Sequence, residues 1–195
     1  MIRFFDILFS TVGLILFLPI FLIIAICIKI ETRGPILYKQ DRVGKDGKIF
    51  KLYKFRSMFI NSDKKGLITV GNNDVRITKV GRFIRKYKLD ELPQLLNVLV
   101  GDMSIVGPRP EVEKYVLQYS DAQKKVLSVK PGITDYASIV YKNENYELSH
   151  QENPEQYYIM EIIPKKIKLN YIYIRKPTIL NYFRIILLTI KEIIF

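Results

Sequence analysis

The chain has 195 residues, 49% of them hydrophobic, a formal charge of +12, one Cys, one His and no Trp. That length and composition suit one folded domain with a real core and exclude a highly charged disordered chain. A single Cys excludes an internal disulfide framework, and with one His it excludes zinc sites of the Cys/His type.

The charge is concentrated. Residues 1–38 carry three basic and two acidic side chains, residues 39–88 carry fifteen and four, and residues 89–195 carry thirteen of each. Such a block seeks polyanions, whether nucleic acid, an anionic membrane surface or phosphorylated substrates, unless it is only a solvated face.

Residues 7–28 contain 22 consecutive uncharged positions. At about 1.5 Å per residue, a helix of that length just reaches across a hydrocarbon core of about 30 Å. No small-x-small site follows, which argues against a cleaved signal peptide. The stretch reads as a membrane helix. Pro19 sits mid-stretch, where it removes a backbone hydrogen bond and clashes with the preceding turn. A kinked spanning helix and a helix that breaks and returns to its own side both fit. Lys29, Arg33 and the basic block place the rest of the chain on the cytoplasmic side.

Residues 36–42 and 48–56 read as strands around the hairpin signal Gly44-Lys45-Asp46-Gly47. Residues 57–74, with Gly66, Gly71 and Asn72-Asn73, read as a mobile loop. Residues 75–88 place Val80, Phe83, Ile84 and Tyr87 at helical spacing. A second helix is predicted over 90–100, with Leu92, Leu95, Leu96 and Leu99 on one face and Gly101 as its stop. Residues 101–110 are loop-like, 111–128 helical, and Pro131-Gly132 marks a turn. A helix over 154–174 is interrupted by Pro164. Residues 178–195 collect Thr178, Asn181, Arg184, Lys191 and Glu192 on one face. They read as an amphipathic helix in the membrane interface, with a buried terminal helix as the alternative.

Asp90-Glu91-Leu92-Pro93 opens the predicted second helix, with Asp90 near its N-cap. Acidic residues there commonly do no more than cap backbone donors. The same donors keep Asp90 ionised, and an ionised carboxylate can ligate a hard cation or attack phosphorus. Gly107-Pro108-Arg109-Pro110 restricts the backbone around Arg109, which suits bidentate phosphate recognition or a rigid exposed turn. Arg85, upstream of Asp90, and Lys54 and Arg56 on the second strand supply further cations. His150, the only His, reads as a surface loop residue, Cys27 as inert packing, and the tyrosines after residue 136 as core or interface. No glycine-rich phosphate loop or dinucleotide motif is present.

Taken together, the chain resembles the bacterial sugar transferases, monotopic phosphoglycosyl transferases of the small single-domain type. The resemblance rests on Arg3-Phe4-Phe5-Asp6, Pro19, Tyr53-Lys54-Phe55-Arg56-Ser57-Met58, Leu89-Asp90-Glu91-Leu92-Pro93-Gln94-Leu95-Leu96-Asn97-Val98, Gly101-Asp102-Met103-Ser104, Val106-Gly107-Pro108-Arg109-Pro110 and Lys130-Pro131-Gly132-Ile133-Thr134. It implies a mostly helical α+β fold with a re-entrant N-terminal membrane helix broken at Pro19, a β-hairpin and amphipathic interfacial helices. The expected organisation is a membrane segment over 1–34, a catalytic domain over 35–177 on the cytoplasmic face of the inner membrane, and an interfacial helix over 178–195.

The resemblance also implies Mg²⁺ as cofactor and transfer of a sugar-1-phosphate from a UDP-sugar to undecaprenyl phosphate, with UMP released, at the start of surface-glycan synthesis. Asp90 is then nucleophile and metal ligand, and Glu91 the second carboxylate of the dyad. Lys54, Arg56, Arg85 and Arg109 are substrate- and phosphate-binding candidates. Expected partners are the two substrates and membrane lipids, with no nucleic acid, and a homo-oligomer is compatible with them. Leu18 stands where many members have Ser, Asp135-Tyr136 where many have Gly-Trp, and Asn170 at a commonly acidic position. The last two sites bear on the sugar pocket. A membrane-tethered polyanion-binding module and a lipid phosphatase are the competing readings.

Overall fold

The computed structural model describes residues 1–62, 66, 68–69 and 74–194. Two bent apolar helices lead into it: α1 (Ile2–Leu16) and α2 (Leu18–Glu31). They meet at Phe17 with a 59° bend. Pro19 falls in the first turn of α2, where its missing N–H leaves no helical bond unmade. The break is therefore a clean helix end followed by a fresh start. Among the described residues no single helix is long and apolar enough to cross a membrane, but this bent pair passes that test together.

The hairpin forms as expected. Strands β1 (Leu37–Val43) and β2 (Ile49–Phe55) pair antiparallel, with Tyr38 opposite Lys54. The turn uses Asp46 (φ 55°) and Gly47 (φ 77°) in the left-handed region. Of the predicted loop, residues 63–65, 67 and 70–73, including Gly71 and Asn72-Asn73, lie outside the described residues.

Helix α3 (Lys79–Lys86) starts four residues later than expected because its N-terminus is capped twice. Thr78 Oγ1 accepts from Gly81 N, and the Glu31 carboxylate from α2 accepts from Lys79 N and Val80 N. Helix α3 thereby locks onto α2, and Ile24 and Ile28 pack with Phe55 and Ile84.

The chain then departs from the predicted helix over 90–100. Lys88 adopts φ 57°, a single 3₁₀ turn covers Leu89–Glu91, and α4 (Gln94–Val100) begins only after Pro93. Asp90 is therefore not an α-helix N-cap. Gly101 (φ 101°) ends α4 as expected.

Residues read as loop and turn form a second, parallel two-stranded sheet: β3 (Ser104–Val106) on β4 (Gly132–Thr134). The two strands continue into a close crossing of glycines, where a Cβ on Gly132 would lie 2.1 Å from Gly107 N. That approach draws the Pro108-Arg109-Pro110 loop against Thr134 and Asp135.

The region 111–128 is not one helix. It forms α5 (Glu113–Val116) and α6 (Asp121–Lys124), followed by a 3₁₀ turn, Lys125–Ser128. Ser120 and Gln123 make a capping box that restarts the helix. Beyond β4 come α7 (Tyr136–Val140), α8 (Glu144–Ser149) and α9 (Pro154–Tyr157). A π-turn over Tyr158–Ile162 leads into α10 (Ile163–Ile174). Pro164 does not interrupt this run, because it occupies the first turn of α10 after the widened π-turn.

Helix α11 (Ile179–Ile194) is two-sided. Its Tyr182 and Ile185 are buried with Val106 and Tyr173, while Ile2, Phe5 and Phe9 of α1 pack against them. Leu180, Leu187 and Ile190 stay exposed next to exposed Arg184 and Lys191. Val12, Ile15 and Leu16 of α1 and Leu22, Ile23 and Ile26 of α2 are exposed as well. Both predicted roles of the last helix, core and amphipathic surface, are present on different faces.

Candidate active site

The site forms where β2, the 3₁₀ turn and the proline-flanked loop converge. On β2, Asn97 of α4 takes the place of a missing neighbour strand: its Oδ1 accepts from Tyr53 N at 3.0 Å and its Nδ2 donates to Lys51 O at 2.7 Å. This fixes Lys54 beside the turn. Its Nζ donates to Glu91 Oε1 at 2.9 Å. From the loop, Arg109 Nη1 donates to Glu91 Oε2 at 3.1 Å, and Nη2 bonds Oε1. Glu91 thus holds two cations on one carboxylate, largely out of water.

Burial pushes the Glu91 carboxyl up, but the Arg109 and Lys54 charges and their hydrogen bonds outweigh it and hold the group well below the usual carboxylate range. Glu91 in turn raises the Arg109 guanidinium further. Burial lowers the Lys54 ammonium, with Glu91 opposing and Arg109 adding to the fall.

Asp90 is the opposite case. It is 5% exposed, no donor to its carboxylate is found among the described residues, and its oxygens are not fully enclosed. Burial first and the Glu91 charge second raise its pKa, against the pull of Lys54, Arg85 and Lys88. The expectation that helix-end donors keep Asp90 ionised is corrected here, because it sits one turn short of α4. Two adjacent carboxylates whose environments push them apart are a recurrent arrangement of catalytic pairs.

Arg85 lies half-buried on the last turn of α3, and its Nη2 donates to Thr69 Oγ1 at 3.1 Å. Its charge acts on Asp90. Arg56 does not join the site. It is 5% exposed and turned the other way, with Nη1 donating to Arg33 O at 2.6 Å and Nη2 to Thr32 O at 2.9 Å. It ties the segment that follows α2 to β2, so its guanidinium is engaged by Thr32 and Arg33 carbonyls and not by the groups around Glu91.

A family model for bacterial sugar transferases matches residues 1–195. The chain belongs to that family. It is 40% identical over 189 residues to the UDP-glucose:undecaprenyl-phosphate glucose-1-phosphate transferase of Klebsiella pneumoniae, an alignment covering 95% of this chain and 38% of that one. It is 44% identical over 139 residues to the UDP-N-acetylgalactosamine-undecaprenyl-phosphate N-acetylgalactosaminephosphotransferase of Aeromonas hydrophila, covering 70% and 33%. It is 45% identical over 158 residues to the undecaprenyl-phosphate galactose phosphotransferase of Salmonella typhimurium, covering 73% and 33%. The chain spans about a third to two-fifths of the length of these relatives.

In this chain the Arg3-Phe4-Phe5-Asp6 motif has a physical role. Asp6 Oδ1 accepts from Ser104 Oγ, Ile105 N and Tyr182 OH, each at 2.9 Å, and joins α1 to β3 and α11. Arg3 donates to Val98 O and Leu99 O at the end of α4. The apolar segment is thereby bolted to the scaffold under the site. Sequence reasoning named Asp6 and Gln94 only as parts of motifs; Gln94 is 2% exposed with Nε2 unpartnered one turn after Asp90. An amide four residues from a candidate nucleophile was the available signal. His150 is exposed at the end of α8, and Tyr158, Tyr173 and Tyr182 are core residues, both as expected, whereas Tyr146 is exposed.

Proposed function

We propose that the protein is a phosphoglycosyl transferase that moves a sugar-1-phosphate from a UDP-sugar to undecaprenyl phosphate. Family membership and the printed activities of the relatives support the reaction class. The observation that carries the residue assignment is the contrast between Glu91, saturated by Lys54 and Arg109, and the adjacent buried Asp90, whose carboxylate is left available.

In this reading an Asp90 carboxylate oxygen attacks the β-phosphorus of the donor. The bond from that phosphorus to the bridging oxygen breaks, and UMP leaves with the bridging oxygen. The sugar-phosphate stays on Asp90 as an acyl phosphate. An oxygen of undecaprenyl phosphate then attacks the same phosphorus and returns Asp90 as a carboxylate. Lys54, Arg85 and Arg109 receive the negative charge of the diphosphate, and Arg109 exchanges Glu91 for phosphate oxygens. Glu91 holds Lys54 and Arg109 charged and in place between turnovers.

Mg²⁺ fits as an ion with few protein ligands. Among the described residues no group of three acidic, His or Cys side chains converges, and Glu91 is already engaged, which leaves Asp90 as the holding carboxylate. Such an ion would take its remaining ligands from water and substrate phosphates and would supply charge neutralisation there.

The exposed apolar faces of α1 and α2 and the bend at Pro19 support a re-entrant segment, with the active site at the cytoplasmic face of the inner membrane, where a polyprenyl phosphate head group lies. The test is UMP release from a panel of UDP-sugars in the presence of undecaprenyl phosphate and Mg²⁺. The expected result is UMP as product with one or a few sugars, and its loss in Asp90→Asn. Inorganic phosphate as the product, or undiminished turnover in Asp90→Asn, contradicts the assignment.

A further inference from the structure

Residues 108–110 contain one backbone N–H, that of Arg109, because neither flanking proline carries one. That donor goes to Asp135 Oδ2 at 2.9 Å. The other carboxylate oxygen, Oδ1, accepts from Ser138 N and caps α7. Asp135 is 1% exposed. Its two oxygens therefore join the Arg109 loop to the first turn of α7, with no water sharing the bonds. The neighbouring carbonyls are held as well. Pro108 O accepts from Gly132 N at 2.9 Å, and Pro110 O accepts from Arg42 Nη1 at 2.8 Å. Of these anchors only Asp135 grips Arg109 itself.

We propose that Asp135 is the positioning residue of Arg109 and sets where its guanidinium stands when it leaves Glu91 for the donor diphosphate. The inference rests on the phosphate-binding role given to Arg109 above. With Glu91 as its partner, the guanidinium has two hydrogen bonds to define its place. When a diphosphate replaces that partner, the position depends on the backbone from which the side chain starts, and a charge-assisted bond from a buried carboxylate fixes that backbone. An amide cannot substitute, since Asn offers one acceptor oxygen to two waiting N–H groups. Asp135 thus belongs to the phosphate clamp at one remove.

Asp135→Ser separates the two duties: Ser is as good an N-cap as Asp, but its short hydroxyl cannot also serve Arg109 N. In the full chain, Asp135→Ser is expected to keep its thermal midpoint close to wild type and to raise KM for the UDP-sugar about tenfold, the scale of one lost charge-assisted contact, with kcat less affected. In an Arg109→Ala background the same change adds no further rise, because its effect runs through Arg109. Asp135→Asn, with one acceptor left, falls between wild type and Asp135→Ser. An unchanged KM, penalties that add in full to Arg109→Ala, or a KM that follows thermal stability across the series overturns the inference. Absence of UMP release by the wild type with every UDP-sugar instead overturns the proposed reaction, so the two failures are distinct.

Discussion

Glu91 draws Lys54 and Arg109 onto one buried carboxylate, while Asp90, its neighbour in the chain, keeps a buried carboxylate with no hydrogen bond among the described residues. The left-handed Lys88 and the single 3₁₀ turn after it produce this difference by presenting the two side chains to different surroundings. One carboxylate organises cations. The other is held in an environment that disfavours its charge.

A pH dependence follows from those opposite shifts. The Asp90 pKa is raised, so the ionised nucleophile is gained as pH rises through a value above the ordinary 3.8. The acid limb of kcat/KM therefore lies above that value. Lys54→Met removes a charge that favours the carboxylate and moves the limb to higher pH, whereas Glu91→Gln removes an opposing one and moves it lower. A limb that moves the same way in both variants contradicts the electrostatics.

Stability carries the same signature with its own sign. A raised Asp90 contributes stability that is present below its unfolded pKa and lost as pH rises through the folded one. At neutral pH the buried charge is a cost. Asp90→Asn is expected to raise the thermal midpoint at pH 7 while abolishing UMP release. Glu91 is lowered, so its contribution is present above its unfolded pKa and is lost as pH falls through the folded value. Glu91→Gln is accordingly expected to lower the midpoint at pH 7, as read by thermal unfolding in the same detergent.

Arg56 gives a prediction of the opposite kind. Its two hydrogen bonds to the end of α2 make it structural. At about 1.5 kcal/mol for each bond to a charged group, Arg56→Ala is expected to lower Tm by about 6–12 °C. KM for the UDP-sugar stays within about twofold of wild type in the folded fraction, less than one lost charge-assisted contact would give. A tenfold rise in KM at unchanged Tm returns Arg56 to the phosphate-binding set.

The re-entrant reading is tested by labelling. With Cys27 replaced by Ser, a cysteine placed at Met1 is expected to react with an impermeant reagent only in inside-out vesicles. Pro19→Ala restores an N–H at the bend and favours continuation of α1 into α2. It is expected to shift part of the population toward labelling from outside. Labelling of the unaltered segment only from outside refutes the re-entrant arrangement.

Much of this was legible locally. Gly44-Lys45-Asp46-Gly47 marked the hairpin turn and Pro19 the helix break, because each acts through backbone rules a few residues long. What was missed depends on distance or on weak signals. The parallel pairing of Ser104–Val106 with Gly132–Thr134 joins segments about 28 residues apart and has no periodicity to reveal it. A lysine entering the left-handed region at position 88 has no composition cue, and it alone displaced Asp90 from the expected N-cap. Ser120 and Gln123 did carry a capping-box signal inside the stretch read as one helix. Arg56 was grouped with Lys54 because alternation along a strand shows which residues share a face and not which carbonyls a neighbouring segment offers them.

The central claim is that Asp90 carries the sugar-phosphate. Intact-protein and peptide mass spectrometry after incubation with the preferred UDP-sugar and Mg²⁺, without undecaprenyl phosphate, reads it directly. The account predicts one equivalent of UMP and a sugar-phosphate adduct on the peptide containing Asp90, discharged when undecaprenyl phosphate is added and absent in Asp90→Asn. UMP formed only when the acceptor is present, with no adduct at any time, contradicts it and indicates direct transfer between the two substrates.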